Sequence, residues 1–223
     1  MSQALYDLLA EHLTERKRNL FNEVVSNRTR HITLVMEDIY QAQNASALFR
    51  SLESWGIQDV HVIENIHSLN LHRRVAKGAY DWLTMHRYNN SDNNTIACLS
   101  SLKEKGYRIM ATSLNEEAIE PNEIDLSHKT AIVLGTELTG ISEEVKSHCD
   151  GFVKIPMYGF TESLNVSVAG GVIMQYLAQE LRKQNIDWQL SASEQLALKI
   201  EWAKKTIYWS QHLIDLFESG EIK

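Results

Sequence analysis

Short apolar runs alternate with longer amphipathic stretches along most of this chain. His31–Met36, Asp59–Glu64, Trp82–Tyr88, Tyr107–Ala111, Ala131–Leu134 and Phe152–Ile155 are mostly apolar or β-branched, and each predicts a short strand. Between and around them, apolar residues recur at helical spacing. The pattern predicts helices over Ala4–Asn27, from Asn44 to about Ser54, over Thr95–Lys105 with Gly106 as its stop, over Asn165–Lys183, and over Ser191–Phe217. This regular alternation predicts an α/β domain with a mostly parallel sheet, flanked by N- and C-terminal helices. It divides the chain into a helical extension at 1–30, a central domain at 31–183, and a second helical extension at 184–223 behind the polar break Gln184–Leu190.

The stretch Ala131–Leu177 carries the densest signals. Two buried strands there each run into a glycine-bracketed loop, Gly135–Gly140 and Ile155–Leu164, and a third loop opens at Thr112. Ligands of open α/β sheets sit at such carboxyl-end loops. Glycines let backbone groups approach a ligand closely, while Ile155, Met157 and Leu164 supply an apolar slot for a flat ring. On the helix after the first strand, Ala45, Leu48, Phe49 and Leu52 form the buried stripe. Gln43, Ala47, Arg50 and Ser54 share the opposite side, so Arg50 stands among small and polar neighbours. Taken alone, Arg50 reads as a surface ion pair and Asn44 as a plain helix cap.

Composition narrows the classes. The 223 residues are 43% hydrophobic, enough for one good core. The 22 basic and 29 acidic residues leave a net charge of −7, so an RNA partner requires basic groups gathered on one face. The densest groups are Arg16, Lys17 and Arg18 and, further on, Arg73, Arg74 and Lys77. Cys98 and Cys149 are the two cysteines, which argues against a disulfide framework or structural zinc. No signal core and no bilayer-length apolar window are present, so a soluble cytoplasmic protein is expected. The chain has no Gly-x-Gly-x-x-Gly after the first strand, no phosphate loop, no nucleophile elbow and no metal-ligand set.

Three motifs then become legible together: Asn44-Ala45-Ser46-Ala47-Leu48-Phe49-Arg50; Leu134-Gly135-Thr136-Glu137-Leu138-Thr139-Gly140-Ile141-Ser142; and Ile155-Pro156-Met157-Tyr158-Gly159 with Ser163-Leu164-Asn165-Val166-Ser167-Val168-Ala169. In this order they resemble the motifs of the SpoU/TrmH group of SPOUT RNA methyltransferases, over about His31–Lys183. The resemblance implies a parallel sheet ending in a deep trefoil knot, although general topology rules disfavour knots. It implies S-adenosylmethionine as cofactor, contacted by Thr112, Gly135, Ile155 and Leu164; with no ligand cluster in the sequence, binding without metal is expected. It places Asn44, Arg50, Glu137, Ser163 and Asn165 at the reaction site, in a homodimer where Arg50 reaches the partner subunit's cofactor. The implied reaction is methyl transfer to a ribose 2′-hydroxyl of tRNA, at the D-loop guanosine in position eighteen. Ribosomal RNA is the alternative substrate and a non-catalytic RNA-binding dimer the alternative class. Gln43 replaces a common histidine, Ser51 a common threonine, and Thr161-Glu162 an apolar–glutamine pair, with Glu162 adding negative charge beside the expected RNA site.

Overall fold

Ser2 and Thr14 each begin a helix. In the computed structural model, which describes residues 2–69, 78–115 and 117–222, the Ser2 hydroxyl accepts the Leu5 N–H at the start of α1 (Gln3–Glu11) and Thr14 accepts that of Lys17 at the start of α2 (Glu15–Ser26). The single helix expected over Ala4–Asn27 is therefore two. Thr14 diverts its hydroxyl to the backbone and restarts the helix, which a count of apolar spacing does not register. Arg73, Arg74 and Lys77 lie outside the described residues.

The chain continues as β1 (Ile32–Glu37), α3 (Ala42–Ser54), β2 (Asp59–Ile63), β3 (Thr84–Tyr88), α4 (Asn94–Glu104), β4 (Arg108–Thr112), β5 (Thr130–Leu134), α5 (Glu143–His148), β6 (Gly151–Val153), α6 (Val166–Leu181), α7 (Ala192–Thr206) and α8 (Ser210–Glu218). The six strands are all parallel in the order β3-β2-β1-β5-β4-β6. Side chains alternate between the two faces of a strand. Leu34, Met36, Ile132 and Leu134 thus enter one core, with Leu48, Leu52, Met174 and Leu177 from α3 and α6. Val35, Ala131 and Val133 enter the other, with Cys98, Leu99, Leu102 and Val145 from α4 and α5. The continuous burial of β1, β2 and β5 follows from having helices on both faces.

Two compact units emerge. One comprises Arg30–Trp188 and holds the sheet with α3–α6; the other is built from both ends of the chain, 1–29 and 189–223. In the latter, Leu5, Leu8 and Leu9 of α1, Phe21 and Val25 of α2, and Leu198, Ile200 and Trp202 of α7 are buried. Phe21 meets Trp202 edge-to-face, and the Arg28 guanidinium lies over the same indole at 5.5 Å. The C-terminal helix expected over Ser191–Phe217 is also two, parting at Ile207–Trp209, where the Ser210 hydroxyl bonds back to the Lys204 carbonyl.

In the sheet unit, His61 and His86 are register partners on β2 and β3, stacked 4.6 Å apart. Burial, then the charge of His86, lowers the His61 imidazole to about 3. Its Nδ1 lies 3.2 Å from the Tyr88 hydroxyl. Among the described residues, no helix is long and apolar enough to cross a membrane.

Candidate active site at the carboxyl ends of the strands

Strand order changes direction beside β1: its neighbours are β2 on one side and β5 on the other. A crevice opens at such a switch point because the connections leave on opposite sides. Here it is a cavity of about 700 Å³, lined from the ends of β4, β5 and β6, from the loops that follow, and from the starts of α3 and α6. That volume suits a nucleoside-sized ligand. Thr112, Gly135, Ile155 and Leu164 all line it, with Met157 and Leu134 adding apolar surface. So do Asn44, Glu137, Ser163 and Asn165. Arg50 does not.

A chain of side-chain amides and one carboxylate joins the three elements around the cavity. Asn44 Nδ2 donates to Glu137 Oε1 at 2.8 Å, and Asn165 Nδ2 donates to Asn44 Oδ1 at 3.2 Å. Asn165 Oδ1 in turn accepts from the N–H groups of Ser167 and Val168 and from the Ser167 hydroxyl. Asn165 is thus the N-cap of α6, as its position before an apolar run suggests. Asn44 is not a cap. The helix begins two residues earlier at Ala42, after Gln41, and leaves Asn44 buried in the first turn with both ends of its amide occupied. A buried amide is stable only when its groups are paired, and Glu137 and Asn165 supply the pairing. Glu137 therefore ties its loop to α3 directly and, through Asn44, to Asn165 at the end of the other loop.

The loop after β5 closes on itself. Thr136 and Gly140 exchange backbone hydrogen bonds of 2.9 and 3.1 Å, and Gly140 adopts a φ of +71°, open to glycine at little cost. A Cβ on Gly135 would collide with Gly140 C, Gly140 O and Ile141 N. The loop's own closure therefore requires a glycine here, and Gly135 also lines the cavity. Below the loop, the buried Glu37 carboxylate accepts from the Ser142 N–H at 3.0 Å, the Ser142 hydroxyl at 2.7 Å and the Thr95 hydroxyl at 2.7 Å. This anchors both the end of the loop and the start of α5.

Arg50 stands on the exposed side of α3 with Gln43, Ala47 and Ser54 also exposed, as the spacing implied. Its guanidinium makes no hydrogen bond or ion pair among the described residues. Ser163 is exposed and its hydroxyl is similarly unengaged. Sequence reasoning missed Gln41, Lys146 and Lys154 in the lining. Lys154 directly follows β6, so the strand-end rule could have found it; nothing in the spacing points to Lys146. The basic trio on α2 is not one face: Arg16 is exposed, Arg18 donates to the Ala10 carbonyl at 2.9 Å, and Lys17 lies over the Phe21 ring. Among the described residues, no group of three or more His, Cys, Asp or Glu is placed to hold a metal.

Fold and cavity define a parallel α/β protein with a carboxyl-end site built for a small, partly apolar ligand. The comparisons give the family. The model of the SpoU rRNA Methylase family matches residues 31–175, and the chain belongs to that family. A tRNA (guanosine(18)-2′-O)-methyltransferase of Borreliella burgdorferi is 39% identical over 212 residues, 95% of each chain. The crystal structure of the Aquifex aeolicus TrmH/SpoU tRNA modifying enzyme superposes with a TM-score of 0.76 at 27% identity, covering 86% of this chain and 98% of that one. The SpoU methyltransferase AviRb from Streptomyces viridochromogenes, solved with the cofactor AdoMet, shares the fold at a TM-score of 0.60 and 19% identity, covering 73% and 65%.

Proposed function

We propose that the protein is an S-adenosylmethionine-dependent methyltransferase acting on the ribose 2′-hydroxyl of the D-loop guanosine at position eighteen of tRNA. The observation that carries this reading is the single cavity that gathers Thr112, Gly135, Ile155 and Leu164 with Asn44, Glu137, Ser163 and Asn165. The Borreliella relative supports tRNA over ribosomal RNA, because the match includes the terminal segments as well as the family region.

The lining fits the cofactor. Ile155, Met157, Leu164 and Leu134 offer apolar surface for adenine, while Thr112 and the loop backbones offer hydrogen-bonding groups for its polar parts. When bound, S-adenosylmethionine supplies an electrophilic methyl group on a sulfonium. The chain's own residues then position the acceptor, and in-line positioning accounts for much of such a rate enhancement. The Glu137–Asn44–Asn165 chain holds both loops and α6 in one arrangement. Ser163 presents a free hydroxyl to the ribose. The Arg50 guanidinium is suited to clamp a phosphate beside the target rather than to act as the base, since a guanidinium is a poor ordinary base.

The reading includes a homodimer with a composite site. Arg50 lies outside the cavity of its own subunit, and Leu138, Tyr158, Phe160, Val168 and Val172 of the sheet unit are exposed apolar residues in or beyond the two loops. Exposed apolar side chains of this number suit a protein interface. It also includes the family's trefoil knot in the segment after β5, a central methyltransferase domain over 31–183 with extensions at 1–30 and 184–223 for RNA or the partner subunit, and a cytoplasmic location with its tRNA.

The test is direct. Incubation with labelled S-adenosylmethionine and total RNA, in the presence of a chelator, should label tRNA, and mapping should place the methyl group on the ribose of guanosine eighteen. Label confined to ribosomal RNA, or none, overturns the reading.

A further inference from the structure

The loops after β1 and β2 hold an exposed aromatic corner next to the cavity, and the mechanism above makes no use of it. Tyr40 is 72% exposed, and its ring lies 5.0 Å from the His67 imidazole at 67°, with Ile66 also exposed beside it. A tyrosine with no packing duty is normally free to be replaced, yet the loop that carries this one holds costly backbone two residues before it. Asp38 has a φ of +48°, the one positive φ at a non-glycine residue among those described. Such a conformation costs on the order of 1 kcal/mol and persists where the surroundings enforce it. The enforcement is visible. Asp38 Oδ1 accepts the N–H groups of Asn65, Ile66 and His67 at 2.8, 2.8 and 3.2 Å, and Asn65 is pinned in turn by Thr95 and Asn94. One strained aspartate thus fixes Tyr40 on its own loop and His67 on the next.

The location indicates an occupant. Gln41, the next residue, lines the cavity, and Asn44 follows one helical turn into α3. A nucleotide whose ribose enters the cavity brings neighbouring bases past this rim. The corner exposes the Tyr40 ring, with His67 set against it edge-to-face and Ile66 beside it, so it offers a base one aromatic face to stack on. Open aromatic surfaces bind unpaired bases by stacking with little dependence on sequence.

We propose that the Tyr40 ring, braced edge-on by His67, is a stacking platform for an unpaired base flanking the methylated nucleotide. The inference rests on the RNA methyltransferase reading and adds a contact for the RNA outside the cavity. The experiment uses the full chain, S-adenosylmethionine and an unmodified tRNA transcript carrying guanosine eighteen. Tyr40→Ala should raise the KM for tRNA about tenfold or more, the loss expected for one base–aromatic stack, while cofactor affinity and melting temperature stay at wild-type values. Tyr40→Phe, which keeps the ring, should restore the wild-type KM. In transcripts with 2-aminopurine beside guanosine eighteen, the wild-type protein should quench the fluorescence and Tyr40→Ala should not. A wild-type KM for Tyr40→Ala, an equal loss in Tyr40→Phe, or a fall in cofactor affinity overturns the platform while transfer by the wild-type protein upholds the activity. If the wild-type protein transfers no methyl group to tRNA, both readings fall.

Discussion

Replacing Gly135 by alanine isolates what the loop after β5 contributes. The added methyl group would lie against Gly140 C, Gly140 O and Ile141 N, far inside the 3.4 Å at which ordinary contact begins. These are backbone atoms, so no side chain can swing away. The loop must open, and opening separates the paired Thr136–Gly140 hydrogen bonds of 2.9 and 3.1 Å. Two such bonds are worth about 1–3 kcal/mol net, and overpacking in a tight site costs about 1–3 kcal/mol. Because Thr136–Thr139 and the Leu138 side chain are at the surface, the loop can relax outward and the lower part of that sum applies, about 2–3 kcal/mol. For a chain of this size the melting temperature should fall by roughly 4–12 °C. Cofactor affinity should fall more than tenfold, since Gly135 to Ile141 make one wall of the cavity. Gly140→Ala is the control: nothing lies within 4 Å of its added Cβ, so only the φ of +71° is penalised, at about 1 kcal/mol. Thermal melts and titration calorimetry with S-adenosylmethionine measure both quantities. A Gly135→Ala protein that melts within a degree of wild type and binds the cofactor normally would refute the closure argument.

Three further outcomes follow from separate features. Arg50→Ala should abolish methyl transfer while changing stability by less than about 0.5 kcal/mol, because the side chain is exposed; mixed with an inactive Leu164→Arg subunit, it should regain partial activity, and inactive heterodimers would exclude the composite site. The Arg16→Ala/Lys17→Ala/Arg18→Ala protein should show a flatter dependence of tRNA affinity on salt, and an unchanged slope in filter binding would move the RNA contact elsewhere. His61 is held neutral in the fold down to about 3, below its ordinary 6.5. Between these values the unfolded chain binds the extra proton, so stability should fall as pH drops through this window, by at most about 1.4 kcal/mol per unit. His61→Phe should flatten that fall in denaturant titrations at pH 6.5 and 4.5, and identical slopes would show that other groups dominate.

Strand positions and the exposed side of α3 were legible because period-two and period-3.6 patterns are local. The loops at Thr112, Gly135 and Ile155 were legible from their places at strand ends, whereas Asn44 joined them only through the motifs, since periodicity does not bring Asn44 near Asn165. What escaped was chemistry that overrides periodicity. The Thr14 hydroxyl divides the first helix and the Ser210 turn the last, and both lie inside stretches whose apolar spacing runs on. Asn44 carries a capping residue type but is buried because Glu137 and Asn165, distant in sequence, satisfy its amide. Arg16, Lys17 and Arg18 are adjacent in sequence, yet Arg18 and Lys17 also meet Ala10 and Phe21, local contacts that charge density alone does not register.

The terminal unit has a consequence for how the chain comes off the ribosome. Its helices come from both ends, with the whole of Arg30–Trp188 synthesised between them. Until α7 emerges, the apolar sides of α1 and α2, with Leu5, Leu9, Phe21 and Val25, lack the Trp202 face they pack with in the finished unit. The sheet unit has all of its strands before that moment and is free to fold first. A nascent chain that has released Trp188 while α7 is still inside the ribosome should therefore expose a sticky N-terminal segment after its α/β unit can already fold, making this interval of translation the one most dependent on chaperones.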